Sequence, residues 1–256
     1  MRQKVNRLSK YIASQLEAIE GVEAITLHES AESDIHDPYF FLSLDIYYSG
    51  ALPSPQQRQH FFEDAGGFES SEYTEKDRFF LEELPVRLEY KHLKRIDHIV
   101  DHPEENLHVF RSNGTYMFYR LYYGNVLYES SQWLVTTREK LEKLPDSFWK
   151  RLREAYFAAS EHHLTDLKSA VACEDSLFYL LSLAGFMKNI CSFLFAINRR
   201  FEPSGRRLFE QTLDLKVLPE DFRGHFYSIV REDRELPPSR KQEIAEKIVR
   251  SVSDMV

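Results

Sequence analysis

Tyr39-Phe40-Phe41-Leu42-Ser43-Leu44-Asp45-Ile46-Tyr47-Tyr48 reads as a strand, closed by Ser49-Gly50. A period of two puts Leu42, Leu44 and Ile46 on one face and Ser43, Asp45 and Tyr47 on the other. Leu84-Pro85-Val86-Arg87-Leu88-Glu89-Tyr90 repeats the pattern, with Val86, Leu88 and Tyr90 opposite Arg87 and Glu89. Val22 to Leu27 reads as another strand. Before it, Val5, Leu8, Ile12, Leu16 and Ile19 recur at helical spacing and Gly21 ends the helix. Residues 55–64 read as a short helix, 66–76 as a loop or weak hairpin, 91–100 and 115–123 as helices, and 125–128 as a short strand.

A boundary falls at Leu144-Pro145-Asp146, where Asp146 or Ser147 can cap a helix. From there the pattern is helical over about 147–170, 173–200, 204–214, 219–232 and 238–254, punctuated by Pro203, Pro219 and Pro237-Pro238. The expected fold class is therefore α+β: a small mixed-sheet domain over 1–143, then an all-α helical bundle over 147–256. Ser176 to Asn198 is apolar and long enough to span a bilayer. Lys188 and Asn189 sit at its middle, which favours a helix buried at the centre of the bundle over a membrane span.

Composition narrows the function classes. Among 256 residues, Lys plus Arg is 33 and Asp plus Glu is 41, a formal charge of −8. An acidic chain without a basic tail argues against nucleic acid, where affinity rests on cations at phosphates. Hydrophobic residues make up 43%, enough for a real core. Only 9 glycines occur, and neither GxGxxG nor GxxxxGK[ST] is present. The N-terminus has charge without an apolar run behind it, so no secretory signal is expected. Cys173 and Cys191 are expected to be reduced, buried thiols of a cytoplasmic protein. HExxH and GxSxG are absent as well, which gives no support to a zinc peptidase or a serine hydrolase.

Carboxylates that converge from adjacent strands are what metal-dependent nucleotidyl transfer requires. Twelve residues separate Ser30 from Ser43-Leu44-Asp45, and Glu89 lies on another strand. In this spacing the chain resembles the nucleotidyltransferase superfamily, which includes the kanamycin and lincosamide nucleotidyltransferases and polymerase beta. It is most similar to an uncharacterised bacterial family with such a domain followed by a helical one. The pattern Asn198-Arg199-Arg200-Phe201 and the later Leu218-Pro219 carry that part of the likeness.

The resemblance implies Mg²⁺-dependent transfer of a nucleoside monophosphate from a nucleoside triphosphate to a hydroxyl of a small-molecule acceptor. Asp45 and Glu89 are then the catalytic residues and metal ligands. Ser30, Ser43, Arg199 and Arg200 are the phosphate-binding candidates, and Glu154, Glu161 or Asp166 the possible bases. Two departures matter: Glu29 stands where the family has Gly, and Ser43 where it has the first Asp. A neutral hydroxyl is a poor ligand for a hard cation. The expected consequence is weakened or lost chemistry. The alternative is a non-catalytic nucleotide-binding or protein-interaction module on the same fold. The helix-end arginines also read as cations favoured by a C-terminal dipole. Tyr116 to Tyr123 reads as core with an amphipathic rim.

Overall fold

The computed structural model describes residues 2–28, 40–71, 75–231, 233 and 235–256. In chain order the elements are α1 (Arg2–Leu16), β1 (Val22–His28), β2 (Leu42–Tyr48), α2 (Pro55–His60), β3 (Gly66–Ser71), β4 (Lys76–Leu81), β5 (Leu84–His92), α3 (Leu93–Asp101), α4 (Leu107–Asn113), α5 (Tyr116–Tyr123), β6 (Asn125–Glu129), α6 (Trp133–Glu142), α7 (Asp146–Ala172), α8 (Ser176–Ile197), α9 (Gly205–Leu213), α10 (Phe222–Val230) and α11 (Pro238–Val252). The chain forms two compact units. One comprises Met1–Pro103 with Phe118–Lys143, the other Glu104–Met117 with Leu144–Val256.

The first unit is built on a six-stranded mixed sheet of order β3-β4-β5-β2-β1-β6. Among the described residues only β2 and β5 run parallel, in the register Ser43↔Arg87, Asp45↔Glu89, Tyr47↔Lys91. The period of two then sorts the faces. Ile25, Leu27, Leu42, Leu44, Ile46, Val86 and Leu88 share one core with Val5, Leu8, Ile12 and Leu16 of α1. Thr26, His28, Ser43, Asp45, Tyr47, Arg87, Glu89 and Lys91 share the other face.

Gly21 makes the turn from α1 into β1. Its φ is +84°, and a Cβ there would lie 2.3 Å from the Ser49 carbonyl oxygen, so no other residue fits without moving that backbone. Serine and proline start α2. The Gln57 N–H donates to Ser54 Oγ, the Ser54 N–H donates back to Gln57 Oε1, and Pro55 opens the first turn.

In the helical unit α7 buries Phe148, Leu152, Tyr156, Leu164 and Leu167 along one stripe. Gly185 of α8 lies so close to α7 that a Cβ would sit 2.5 Å from the His163 ring. Two expectations are corrected. Cys191 is buried, but Cys173 is exposed, because it ends α7 at the turn into α8. And α8 is not enclosed along its whole length. Its last turns, Ile190 to Ala196, are buried all round; its first turns are covered only along the stripe Ser182, Phe186, Ile190. The helix has the length and apolarity to cross a membrane, and half of its most apolar window is buried.

A buried carboxylate organises the other end of α8. Glu202 accepts from Ser192 Oγ at 2.8 Å and from the Thr115 N–H at 3.2 Å, while its own N–H donates to Thr115 Oγ1 at 2.8 Å. Burial pushes its pKa up, against the pull of those donors. An unfolded chain therefore loses this proton at lower pH than the folded one. Between the two values the folded state binds more protons, so stability falls as pH rises through that window. Glu202→Gln is expected to cost less than about 1 kcal/mol and to flatten that slope. Glu202→Ala, which strands the Thr115 N–H, is expected to cost about 1–3 kcal/mol. Urea denaturation of both variants between pH 4 and 8, on the order of the usual carboxyl range and above it, checks this.

Candidate functional site

Asp45 is at the centre of the polar sheet face, with no solvent exposure. Arg120, from α5, grips it with two donors, Nε to Oδ2 at 2.8 Å and Nη2 to Oδ1 at 2.5 Å. Lys91 Nζ, at the end of β5, donates to Oδ2 at 2.5 Å. His28 Nε2 is 3.3 Å from the same oxygen and 2.8 Å from Thr26 Oγ1. The Tyr47 hydroxyl also donates to Oδ2, at 3.2 Å.

The strands explain this convergence. Thr26 pairs with Asp45 and His28 with Ser43 across β1 and β2, while Glu89 and Lys91 sit on the parallel neighbour. Tyr47 is capped by the Trp133 ring at 5.2 Å, and the Trp133 indole N–H is held by Asp97 at 2.8 Å.

The charges follow the geometry. Burial alone would favour neutral Asp45, but Arg120 and Lys91, with His28, hold its carboxyl well below the usual carboxylate range. Burial pushes His28 down, against the attraction of Asp45, which favours a neutral imidazole. Burial likewise lowers Lys91, with Asp45 acting against it. Tyr47 is pushed up by burial and by the neighbouring carboxylate.

The structure brings three of the sequence-derived candidates together: Ser43, Asp45 and Glu89 lie side by side on one face. Ser43 Oγ accepts from Arg120 Nη2 at 3.3 Å. Glu89 is half-buried, 3.3 Å from Lys76 Nζ and 4.0 Å from Lys91 Nζ. Ser30 and Glu29 lie outside the described residues.

Arg199 and Arg200 belong to the helical unit, at the end of α8. Arg199 pairs with Asp146 at 2.9 Å, and the Arg200 N–H closes the helix end on the Phe195 carbonyl. Of the possible bases, all on α7, Glu154 is 3.8 Å from Lys150 and Asp166 is 3.5 Å from His162. Glu161 is exposed.

As a cation site the face has an unusual donor set. Mg²⁺ is held by one or two carboxylates together with phosphates and water. Here both oxygens of Asp45 already meet protein cations, and Ser43 supplies no charge. Among the described residues no group of three or more His, Cys, Asp or Glu could hold a metal. The arrangement does not fit a divalent ion as it stands. Lys91 and Arg120 were missed as partners of Asp45 in the sequence reading. For Lys91 the signal was the alternation Arg87, Glu89, Lys91, which continues one step past the expected strand end.

A model described as a domain of unknown function (DUF4037) matches residues 113–206. No curated protein matches the sequence. The crystal structure of a nucleotidyltransferase-like protein from Exiguobacterium sibiricum 255-15 superposes with a TM-score of 0.51 at 12% identity, covering 95% of this chain and 74% of that one. The chain has a nucleotidyltransferase-like fold. The segment matched by the domain model includes Arg120, Thr115 and Glu202, and starts after the strands that carry Asp45 and Glu89.

Proposed function

We propose that this protein is a non-catalytic nucleotide-binding module on a nucleotidyltransferase-like fold, its metal-dependent transfer chemistry lost. The observation that carries this is the position of Lys91. Its ammonium lies 2.5 Å from Asp45 Oδ2 and 4.0 Å from Glu89 Oε2, between the two carboxylates that the resemblance makes metal ligands. A built-in cation there leaves Asp45 neutralised without an ion. Ser43 in place of an aspartate and Glu29 in place of a glycine act in the same direction. Two-metal transfer depends on ions that bridge the attacking and leaving oxygens, and an ammonium cannot bridge in that way.

Wild-type protein with each of the four nucleoside triphosphates and Mg²⁺ or Mn²⁺ is expected to release no pyrophosphate. A nucleotide near 100 times its Kd stabilises by about 2.7 kcal/mol, and that shift is expected to be the same in EDTA as with Mg²⁺. Metal-dependent pyrophosphate release by wild type that disappears in Glu89→Gln would sink the non-catalytic reading. Absence of a thermal shift with every nucleotide would remove its nucleotide-binding part.

A further inference from the structure

Beyond Asp45 and Glu89 the polar face of the sheet runs on to its outer strands. On β4 the buried Asp77, Phe79 and Leu81 alternate with Lys76, Arg78 and Phe80, so the last three share the face that carries Asp45. This end of the face is open: Arg78 is exposed, and Phe80 is 54% exposed. Gly66 and Gly67 lie beside Phe80, where an added Cβ would come within 3.9 and 3.7 Å of it. Neither glycine has a side chain to cover the ring.

Cations gather on the same stretch. Arg78 stands directly opposite Arg87 in the antiparallel ladder of β4 and β5. Like charges in that position destabilise a sheet, and an anion between them removes the cost. Arg87 lies over the Phe41 ring, 4.5 Å from its centre. The acids nearby are Glu89, which Lys76 engages at 3.3 Å, and Glu69, opposite Arg78 on β3. Among the described residues no ion pair joins Arg78 to Glu69. Two arginine forks side by side suit phosphate oxygens. An exposed ring two residues along the strand, roughly 7 Å away, suits the face of a base.

We propose that a nucleoside polyphosphate lies along β4, with its base on Phe80 and its phosphates between Arg78 and Arg87. This rests on the nucleotide-binding reading above, and it gives the phosphates cations of the chain in place of Mg²⁺. A nucleotide fits this face better than a nucleic acid strand does. Tracking a strand takes successive stacking rings, whereas among the described residues of β4 and β5 Phe80 is the one exposed aromatic side chain. The formal charge of −8 also opposes a long polyanion.

Isothermal titration calorimetry in EDTA tests this. Wild type is expected to bind a nucleoside triphosphate more tightly than the diphosphate, and the diphosphate more tightly than the monophosphate. The four triphosphates are expected to bind alike, since stacking is tolerant of base identity. Arg78→Ala is expected to weaken ATP by about tenfold or more, and Arg78→Lys by less. Phe80→Ala is expected to weaken ATP by about fivefold or more yet leave inorganic tripolyphosphate unchanged, and Phe80→Trp to keep ATP binding. Both side chains are exposed, so the variants are expected to keep the circular dichroism and Tm of wild type. ATP binding that neither Arg78→Ala nor Phe80→Ala weakens overturns this inference and leaves the nucleotide-binding reading in place. A wild type that binds no nucleotide overturns both. A single-stranded oligothymidylate that binds more tightly than any mononucleotide overturns the inference in favour of a nucleic acid strand.

Discussion

Asp45→Ala is expected to cost about 3–5 kcal/mol of folding free energy, the usual result of removing one partner from a buried ion pair. The reason lies in what remains. Arg120 and Lys91 both direct donors at this carboxylate from buried positions, and alanine leaves two cations facing each other without their counter-ion. A domain is commonly stable by only about 5–15 kcal/mol, so the variant is expected to lose a large fraction of its stability. Lys91→Met is expected to cost much less, because Arg120 still neutralises Asp45 through two hydrogen bonds. Urea midpoints with an unchanged m-value check both. The pH dependence has a definite sign. Asp45 is held below its unfolded value, so the folded chain resists a proton that the unfolded chain accepts. The stability it contributes is complete above the ordinary carboxylate range and is lost as pH falls below about 4. A wild type whose stability is flat through acid would contradict this account.

The second large effect belongs to Arg58. This arginine is the buried residue of the short helix α2. Its Nε donates to Asp77 Oδ2 at 2.9 Å and its Nη2 to Asp77 Oδ1 at 3.0 Å and Ser70 Oγ at 2.6 Å. Nη1 reaches the Pro53 carbonyl at 2.7 Å, and the guanidinium lies 4.9 Å from the centre of the Tyr90 ring. One side chain thus ties α2 to β3, β4 and β5. Arg58→Ala is expected to cost about 3–5 kcal/mol, because it leaves Asp77, fully buried, as an uncompensated charge. Arg58→Met with Asp77→Leu is expected to recover much of that loss, since an apolar pair of similar volume removes the stranded charge. A double variant no more stable than Arg58→Met alone would place the cost in packing instead. Thermal and urea denaturation of the single and double variants separate the two.

The alternation of the central strands was legible because it is local. Leu42, Leu44 and Ile46 face the core, and Ser43, Asp45 and Tyr47 the opposite side, as a period of two requires. The pairing of Asp45 with Glu89 also follows, since both sit on that polar face. What was not legible came from residues distant in sequence. Arg120 lies 75 positions from Asp45 inside a tyrosine-rich helix, and nothing in its neighbourhood marks it as a counter-ion. Lys91 was assigned to the following helix, although β5 runs on to His92. The stretch 66–76, expected as a loop or weak hairpin, holds the strand β3 and reaches the start of β4, and its Gly66-Gly67 opening gave little strand signal. α4 and α6 were not distinguished at all, being short segments without a long periodic stripe. The first half of α8 misled because apolar composition reports that a helix avoids water and leaves open whether its own chain supplies the cover.

The division of the chain has a consequence for how the molecule can be taken apart. Glu104–Met117 belongs to the helical unit, yet the sheet-bearing unit resumes at Phe118, and β6 must then return to pair with β1. The polypeptide crosses from one unit to the other three times. No single cleavage therefore yields two intact pieces: a cut at Lys143 leaves α4 stranded on the sheet fragment and deprives Glu202 of Thr115. On a ribosome the sheet-bearing unit can complete itself once Lys143 has emerged, while α4 waits for partners still to be made. Moving the helical unit to another host would require it to be rejoined to Glu104–Met117 in a new order, as a circular permutant.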